Sequence, residues 1–295
     1  MLYSCVLKLV VVGHAAARPL ANYAPACPTC FPITFHVDAS AENAVITNST
    51  SEQNATGIYD FMHLDVGALQ FLVHGVTYNK TVWAGLGISG RYNWHGYATN
   101  AGYDTLAIDC LGHRQDPQHP DPLSVVQGPL HVDIMHQIIS RIRSGLIEEL
   151  LHASETIIYV GHSYGSGFGN LLSIKHPEDI DAYVLTGFSA TLMPSYSFFS
   201  DLFSAADVSA RFENYVSGYL TRRTIDGRRA ISYAGAYDRS IVPHDFAGRD
   251  IVSVEELFSP GLFTVVSNYT DPVFVATRDL DKFYYAGARF NAKRF

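Results

Sequence analysis

The chain has 295 residues, of which 47% are apolar and 16% charged, and it carries a net charge of −8. That length supports one large α/β domain with an appended lid and excludes two ordinary enzymes. The acidic balance, with no basic run, argues against a nucleic-acid or anionic-membrane partner. No apolar stretch of about 18 or more residues marks a spanning helix.

At the start, Lys8 precedes the short apolar run Leu9 to Val12, and Ala15, Ala16 and Ala17 follow. This pattern predicts a signal peptide over residues 1–17 and hence a secreted protein. Four glycosylation sequons agree with that expectation, at Asn48, Asn54, Asn79 and Asn268. Asn48 and Asn54 lie in a polar Ser/Thr/Asn stretch and are the expected carriers. Cys5 falls inside the signal, which leaves Cys27, Cys30 and Cys110. Three cysteines cannot all pair, so an intermolecular bridge or an unpaired thiol is expected. The Cys-Pro-Thr-Cys spacing at Cys27 lies in a Pro-rich leader without a βαβ pattern, which points to a structural or unpaired role rather than redox chemistry.

Residues 18–67 read as an irregular leader with at most a short edge hairpin. From residue 68 apolar runs bounded by Gly or Asp recur at Leu69–Val73, Thr105–Ile108, Thr156–Val160, Ala182–Leu185 and Val273–Ala276. Short β-rich runs separated by longer segments predict a mostly parallel sheet with flanking crossover helices, an α/β fold. The clearest helix is expected from Leu130 to Leu151, where Val132, Met135, Ile138, Ile139, Ile142, Leu146 and Leu150 keep helical spacing. More than eighty residues separate the strands at Leu185 and Val273, and they include Tyr196, Phe198, Phe199, Phe203, Phe212, Tyr215 and Tyr219. No crossover needs that length, so a helical lid insertion is expected over 191–264. The core then comprises 68–190 and 265–295.

The strand at Ile157 runs directly into Gly161-His162-Ser163-Tyr164-Gly165 and a small-residue stretch. This is the Gly-x-Ser-x-Gly elbow, in which a tight strand-to-helix turn lifts the serine oxygen above the sheet edge. Flanking side chains would clash there, hence Gly161 and Gly165. The helix N-terminus behind the turn places positive dipole near developing negative charge. Upstream, the strand at Leu69 leads into His74-Gly75-Val76-Thr77, where Gly75 permits close backbone approach. The N–H groups of Val76 and Tyr164 are therefore the expected oxyanion donors. His74 is expected to brace its loop, and Asp109, in Asp109-Cys110-Leu111-Gly112, to brace the loop opposite. Among the remaining histidines, His113, His119, His131 and His136 invite a metal reading. His131 and His136 stand five apart on a helix and do not share a face, so no metal site is expected.

The order strand–His-Gly, strand–Asp-x-x-Gly, strand–Gly-His-Ser-Tyr-Gly resembles the α/β-hydrolase superfamily. The runs Phe71 to Lys80 and Val184 to Ser189 are similar to a group of secreted fungal α/β-hydrolase-1-type proteins. The resemblance covers about residues 68 to 290. It implies a serine hydrolase acting on a small-molecule ester or apolar acyl substrate, with Ser163 as nucleophile and no metal or organic cofactor. Ser163 sets the chain apart from the epoxide hydrolase and dehalogenase branches, which use Asp there. The run Thr277-Arg278-Asp279-Leu280-Asp281 occupies the place of the family's Gly-x-x-Asp turn. Asp281 is thus the implied acid and Asp279 the alternate, with Arg278 where the family has glycine.

The family's chain order is Ser, acid, His, and no histidine follows His244. The last strand and helix of the fold, with the base-bearing loop, are therefore expected to be missing. Three explanations stand at this point: a truncated form of an active hydrolase, a non-catalytic relative binding an apolar small molecule, or an upstream base such as His244 or His113.

Overall fold

The computed structural model describes residues 3–6, 31–33, 38–41, 59–62, 67–88, 90–113, 119–147, 154–189, 196–259, 261–263, 268–278, 280, 281 and 283. Its strands are β1 (Tyr3–Val6), β2 (Phe31–Ile33), β3 (Asp38–Ala41), β4 (Tyr59–Met62), β5 (Ala68–Val73) and β6 (Asp104–Ile108). There follow β7 (Thr156–His162), β8 (Ala182–Thr186), β9 (Leu202–Ser204), β10 (Tyr219–Arg222), β11 (Val252–Ser253) and β12 (Val273–Ala276). The helices are α1 (Trp94–Asn100), α2 (Gly128–Arg143), α3 (Tyr164–Lys175) and α4 (Tyr196–Phe199). The remaining four are α5 (Ala205–Val208), α6 (Ile225–Ser232), α7 (Ile241–Gly248) and α8 (Val254–Leu257).

Seven strands form the main sheet in the order β12-β8-β7-β5-β6-β4-β2. The pairings from β6 through β12 are parallel, and β4 and β2 join antiparallel at the far end. The apolar runs of the sequence supply all five parallel strands. β2 and β4 come from the segment read as a leader, and β1 pairs antiparallel with β3.

The period of two along β5 explains its packing. Leu69, Phe71 and Val73 face one layer, where they meet Met135, Ile138, Ile139 and Ile142 of α2 and Phe168 and Leu172 of α3. Leu72 faces the opposite layer with Ala107, Val160 and Trp83. Each such side chain, buried completely, contributes about 1.5–3 kcal/mol. The helix expected to run to Leu151 stops at Arg143. Gly145 adopts φ 65°, a left-handed turn that any other residue would enter at a cost, and Leu146 beyond it is 70% exposed. Residues 148–151, the rest of that expected helix, lie outside the described residues.

Between β8 and β12 the insertion holds α4 to α8 and also a three-stranded antiparallel sheet, β11-β10-β9. The insertion expected from its length is helical, and this sheet departs from that expectation. Tyr219-Leu220-Thr221-Arg222 forms a strand because Tyr219, Thr221 and Arg222 are buried by its neighbours. At the other side of the main sheet, β12 leaves Val273, Phe274 and Val275 at 52%, 64% and 40% exposure. No helix among the described residues is long and apolar enough to cross a membrane.

Register positions the site. Val73 pairs with Gly161, His162 with Thr186, and Thr186 with Ala276, so the C-terminal ends of β5, β7, β8 and β12 lie side by side. In an open parallel sheet this edge is where ligands bind.

Candidate active site

Ser163 stands between β7 and α3 with φ 55° and ψ −115°, a conformation non-glycine residues rarely adopt. Its N–H donates to the Thr186 carbonyl at 2.9 Å, and its own carbonyl accepts from the Ser166 N–H at 2.9 Å. The flanking glycines are sterically required. A Cβ on Gly161 would lie 2.6 Å from the Gly165 carbonyl, and one on Gly165 would lie 2.2 Å from the Val73 oxygen.

The loop after β5 comes against this elbow. A Cβ on Gly75 would lie 2.9 Å from the His162 carbonyl oxygen and 3.0 Å from Ser163 Cβ. The insertion holds the loop from the other side. The Thr77 N–H donates to the Ile251 carbonyl at 3.2 Å, the Asp250 N–H to the Thr77 carbonyl at 2.9 Å, and Arg228 Nη1 to Thr77 Oγ1 at 2.6 Å. These bonds fix Thr77 at φ 57°. Neither the Val76 nor the Tyr164 N–H donates among the loop and turn hydrogen bonds of the described residues.

Behind that loop lies a buried polar cluster. His74 Nδ1 donates to the Gly75 carbonyl at 2.9 Å, and its Nε2 accepts the Cys110 N–H at 3.0 Å. This fixes a neutral tautomer, and burial, aided by the charge of His113, lowers its pKa to about 4. His74 therefore braces two loops. Asp109 does the same opposite, accepting the Lys80 N–H at 2.8 Å and pairing with its Nζ at 3.1 Å.

His113 is charged instead. Its Nδ1 donates to the Tyr78 carbonyl at 3.0 Å and its Nε2 to Glu256 at 3.2 Å. Burial pulls the His113 pKa down, but the charge and hydrogen bond of Glu256 outweigh it and raise it to about 9. Burial pushes Glu256 up, and His113 more than reverses that, leaving it below the ordinary carboxylate range. A raised histidine contributes stability that is complete below its unfolded pKa near 6.5 and is lost as pH rises through 9. Glu256 acts oppositely: its contribution is complete above its unfolded pKa near 4.5 and is lost as pH falls through the lowered value. Stability should thus decline between about pH 6.5 and 9, and urea titrations of Glu256→Gln should show that slope reduced.

A cavity of about 300 Å³ opens above the elbow, lined among others by Val76, His162, Ser163, Thr186 and Asp281. Thr186 Oγ1 donates to the Gly161 carbonyl, so His162 Nδ1, 3.0 Å away, is the donor to that hydroxyl. Burial lowers the His162 pKa, which favours the neutral ring. Asp281 is partly exposed, and its Oδ1 accepts the Phe283 N–H at 3.0 Å. Asp279 lies outside the described residues. The two alternative bases do not reach the cavity. His244 is exposed on α7, and His113 is buried against Glu256. The cavity also receives Arg222 and Arg228 from the insertion, residues that no motif singled out.

The histidines that invited a metal reading are dispersed. His119 packs on Tyr215 and His131 on Phe168, with centroids 3.9 and 4.9 Å apart. Among the described residues one group could hold a cation: His136, His176 and Asp179, whose ligand atoms lie within 4.8 Å of one another. Sequence reasoning missed it because His176 and Asp179 come from the turn after α3. Cys110 is buried with a free thiol that burial pushes well above its usual range, so it forms no bridge between molecules. Cys27 and Cys30 lie outside the described residues, as do Asn48 and Asn54. Asn79 is 7% exposed and donates to Asp250, which leaves no room for a glycan.

A family model described as the alpha/beta hydrolase fold matches residues 71–226. The chain belongs to the α/β-hydrolase fold family. Among solved structures, this α/β-hydrolase is similar to an epoxide hydrolase from Vigna radiata at 19% identity and a TM-score of 0.35. That match covers 52% of this chain, which spans only 39% of the Vigna radiata enzyme. A carboxylesterase of the thaumarchaeon Nitrososphaera gargenis matches at 15% identity and a TM-score of 0.48, over 79% of this chain and 80% of that one. A bacterial membrane phospholipase A matches at 12% and 0.48, over 85% and 70%. No curated protein matches the chain. At these identities and TM-scores none of the neighbours bears on what this α/β-hydrolase acts on.

Proposed function

We propose that the chain is a serine hydrolase of carboxylic esters, esterase- or lipase-like, secreted and glycosylated at Asn48 and Asn54. Ser163 is the nucleophile, the Val76 and Tyr164 N–H groups are the oxyanion donors, and Asp281 is the acid. The observation that carries this reading is the strained Ser163 elbow opening on a cavity beside the Gly75 loop. Attack of Oγ on the ester carbonyl would place negative charge on the carbonyl oxygen, and two fixed amides would stabilise it without reorganisation. The Ser163 hydroxyl proton passes to the departing alkoxide, so the alcohol leaves and an acyl-serine remains, which water hydrolyses to the carboxylic acid and free Ser163.

One observation favours a second reading, a non-catalytic protein binding an apolar small molecule on the same fold. Among the described residues the one histidine lining the cavity is His162, the neighbour of Ser163 in sequence. Turnover of p-nitrophenyl butyrate separates the two. The hydrolase reading expects a rate above background that is lost in Ser163→Ala. Equal rates for both proteins would support the binder.

A further inference from the structure

Resting on the reading that the cavity over Ser163 is the substrate site, we infer that it selects small esters carrying a carboxylate, which Arg222 binds. Arg222 closes β10, is 2% exposed and lines the cavity. Its Nη1 donates to the Phe198 carbonyl, and its guanidinium stacks 4.7 Å above the Phe198 ring. Neither contact supplies negative charge. Among the described residues no carboxylate forms an ion pair with it. Asp201, the acid whose charge it feels, is engaged elsewhere, accepting from the Thr224 hydroxyl at 2.9 Å and from the Thr224 N–H.

The other charged groups at the cavity do not answer this cation. Arg228 also lines it, but Asp245 holds Arg228 in a two-bond fork at 2.9 and 2.8 Å. Arg278 and Asp281 line the cavity as well, are opposite in sign and reach solvent. Arg222 is left as the surplus buried charge. Burial and then Arg228 press its pKa down to about 10, so it stays protonated at neutral pH. A desolvated guanidinium with donors to spare is costly unless an anion completes it. Its planar fork matches a carboxylate in two parallel hydrogen bonds. The cavity, about 300 Å³, sits at the small end of ligand sites, which sets the size of the ester.

The test uses Ser163→Ala, which cannot turn over, titrated calorimetrically with monoethyl succinate and with diethyl succinate. The monoanion should bind at least tenfold more tightly than the neutral diester. Adding Arg222→Met should abolish that preference by weakening the monoanion at least tenfold more than the diester, and Arg222→Lys should retain part of it. Equal affinities, heat from neither ester, or a preference that survives Arg222→Met would each overturn the inference. A purely structural role for Arg222 would weaken both esters alike. Should Arg222→Met fail to fold, the two esters on Ser163→Ala and the Arg222→Lys variant still decide. The hydrolase reading is judged separately by wild-type turnover. A chain that binds the monoester through Arg222 without hydrolysing esters would retain this specificity and lose only the catalytic claim.

Discussion

Gly165→Ala is expected to cost about 3 kcal/mol or more of stability and to abolish any reaction at Ser163. The methyl group would lie 2.2 Å from the Val73 oxygen and 2.5 Å from the His74 oxygen, both backbone atoms of the strand and loop beneath the elbow. Neither can yield without shifting β5, whose residues from Leu69 to Val73 are all buried in the centre of the sheet. The turn would have to open, carrying Ser163 and the Tyr164 N–H away from the Gly75 loop. Urea unfolding of the variant checks this. A loss below about 1 kcal/mol would mean that the helix does not approach β5 this closely.

Arg228→Leu should cost about 3–5 kcal/mol, because it strands a buried carboxylate. Arg228 and Asp245 have side chains 1% exposed each, and the pair is joined by two hydrogen bonds. Arg228 also ties α6 to the loop after β5 through Thr77 and covers the Tyr78 ring at 4.0 Å. The single variant leaves Asp245 with the Tyr233 and Tyr78 hydroxyls as side-chain donors and no cation among them. Arg228→Leu combined with Asp245→Leu should recover most of the loss, since no unpaired charge then remains. A double variant as unstable as the sum of the singles would contradict the pairing.

The parts of this molecule legible in the sequence are those fixed by local sterics. The runs at Leu69, Thr105, Ile157, Ala182 and Val273 are too apolar and too short to be anything but strands, and the structure has a strand at each, with the edge strand β12 left exposed. Gly161 and Gly165 mark a turn whose geometry admits no side chain, and Gly75 marks a close approach of two loops. What escaped depends on contacts between distant segments. Nothing local to Arg222, Arg228 or Asp245 says that a charged residue of the insertion ends up buried at the mouth of β7. The grouping of His136 with His176 and Asp179 likewise needs α2 to pack beside the end of α3. The periodicity of Leu146 suggested a longer helix, and one left-handed glycine at 145 ended it. His113 reads as a stray base in the sequence because its partner, Glu256, stands 143 residues away.

The central claim is that Ser163 reacts from this elbow. The most direct measurement exposes folded wild-type protein to a fluorophosphonate and reads intact mass and peptide map. One adduct on Ser163, absent in Ser163→Ala, is the predicted result. Folded protein that stays unmodified, or carries its adduct elsewhere, would contradict it.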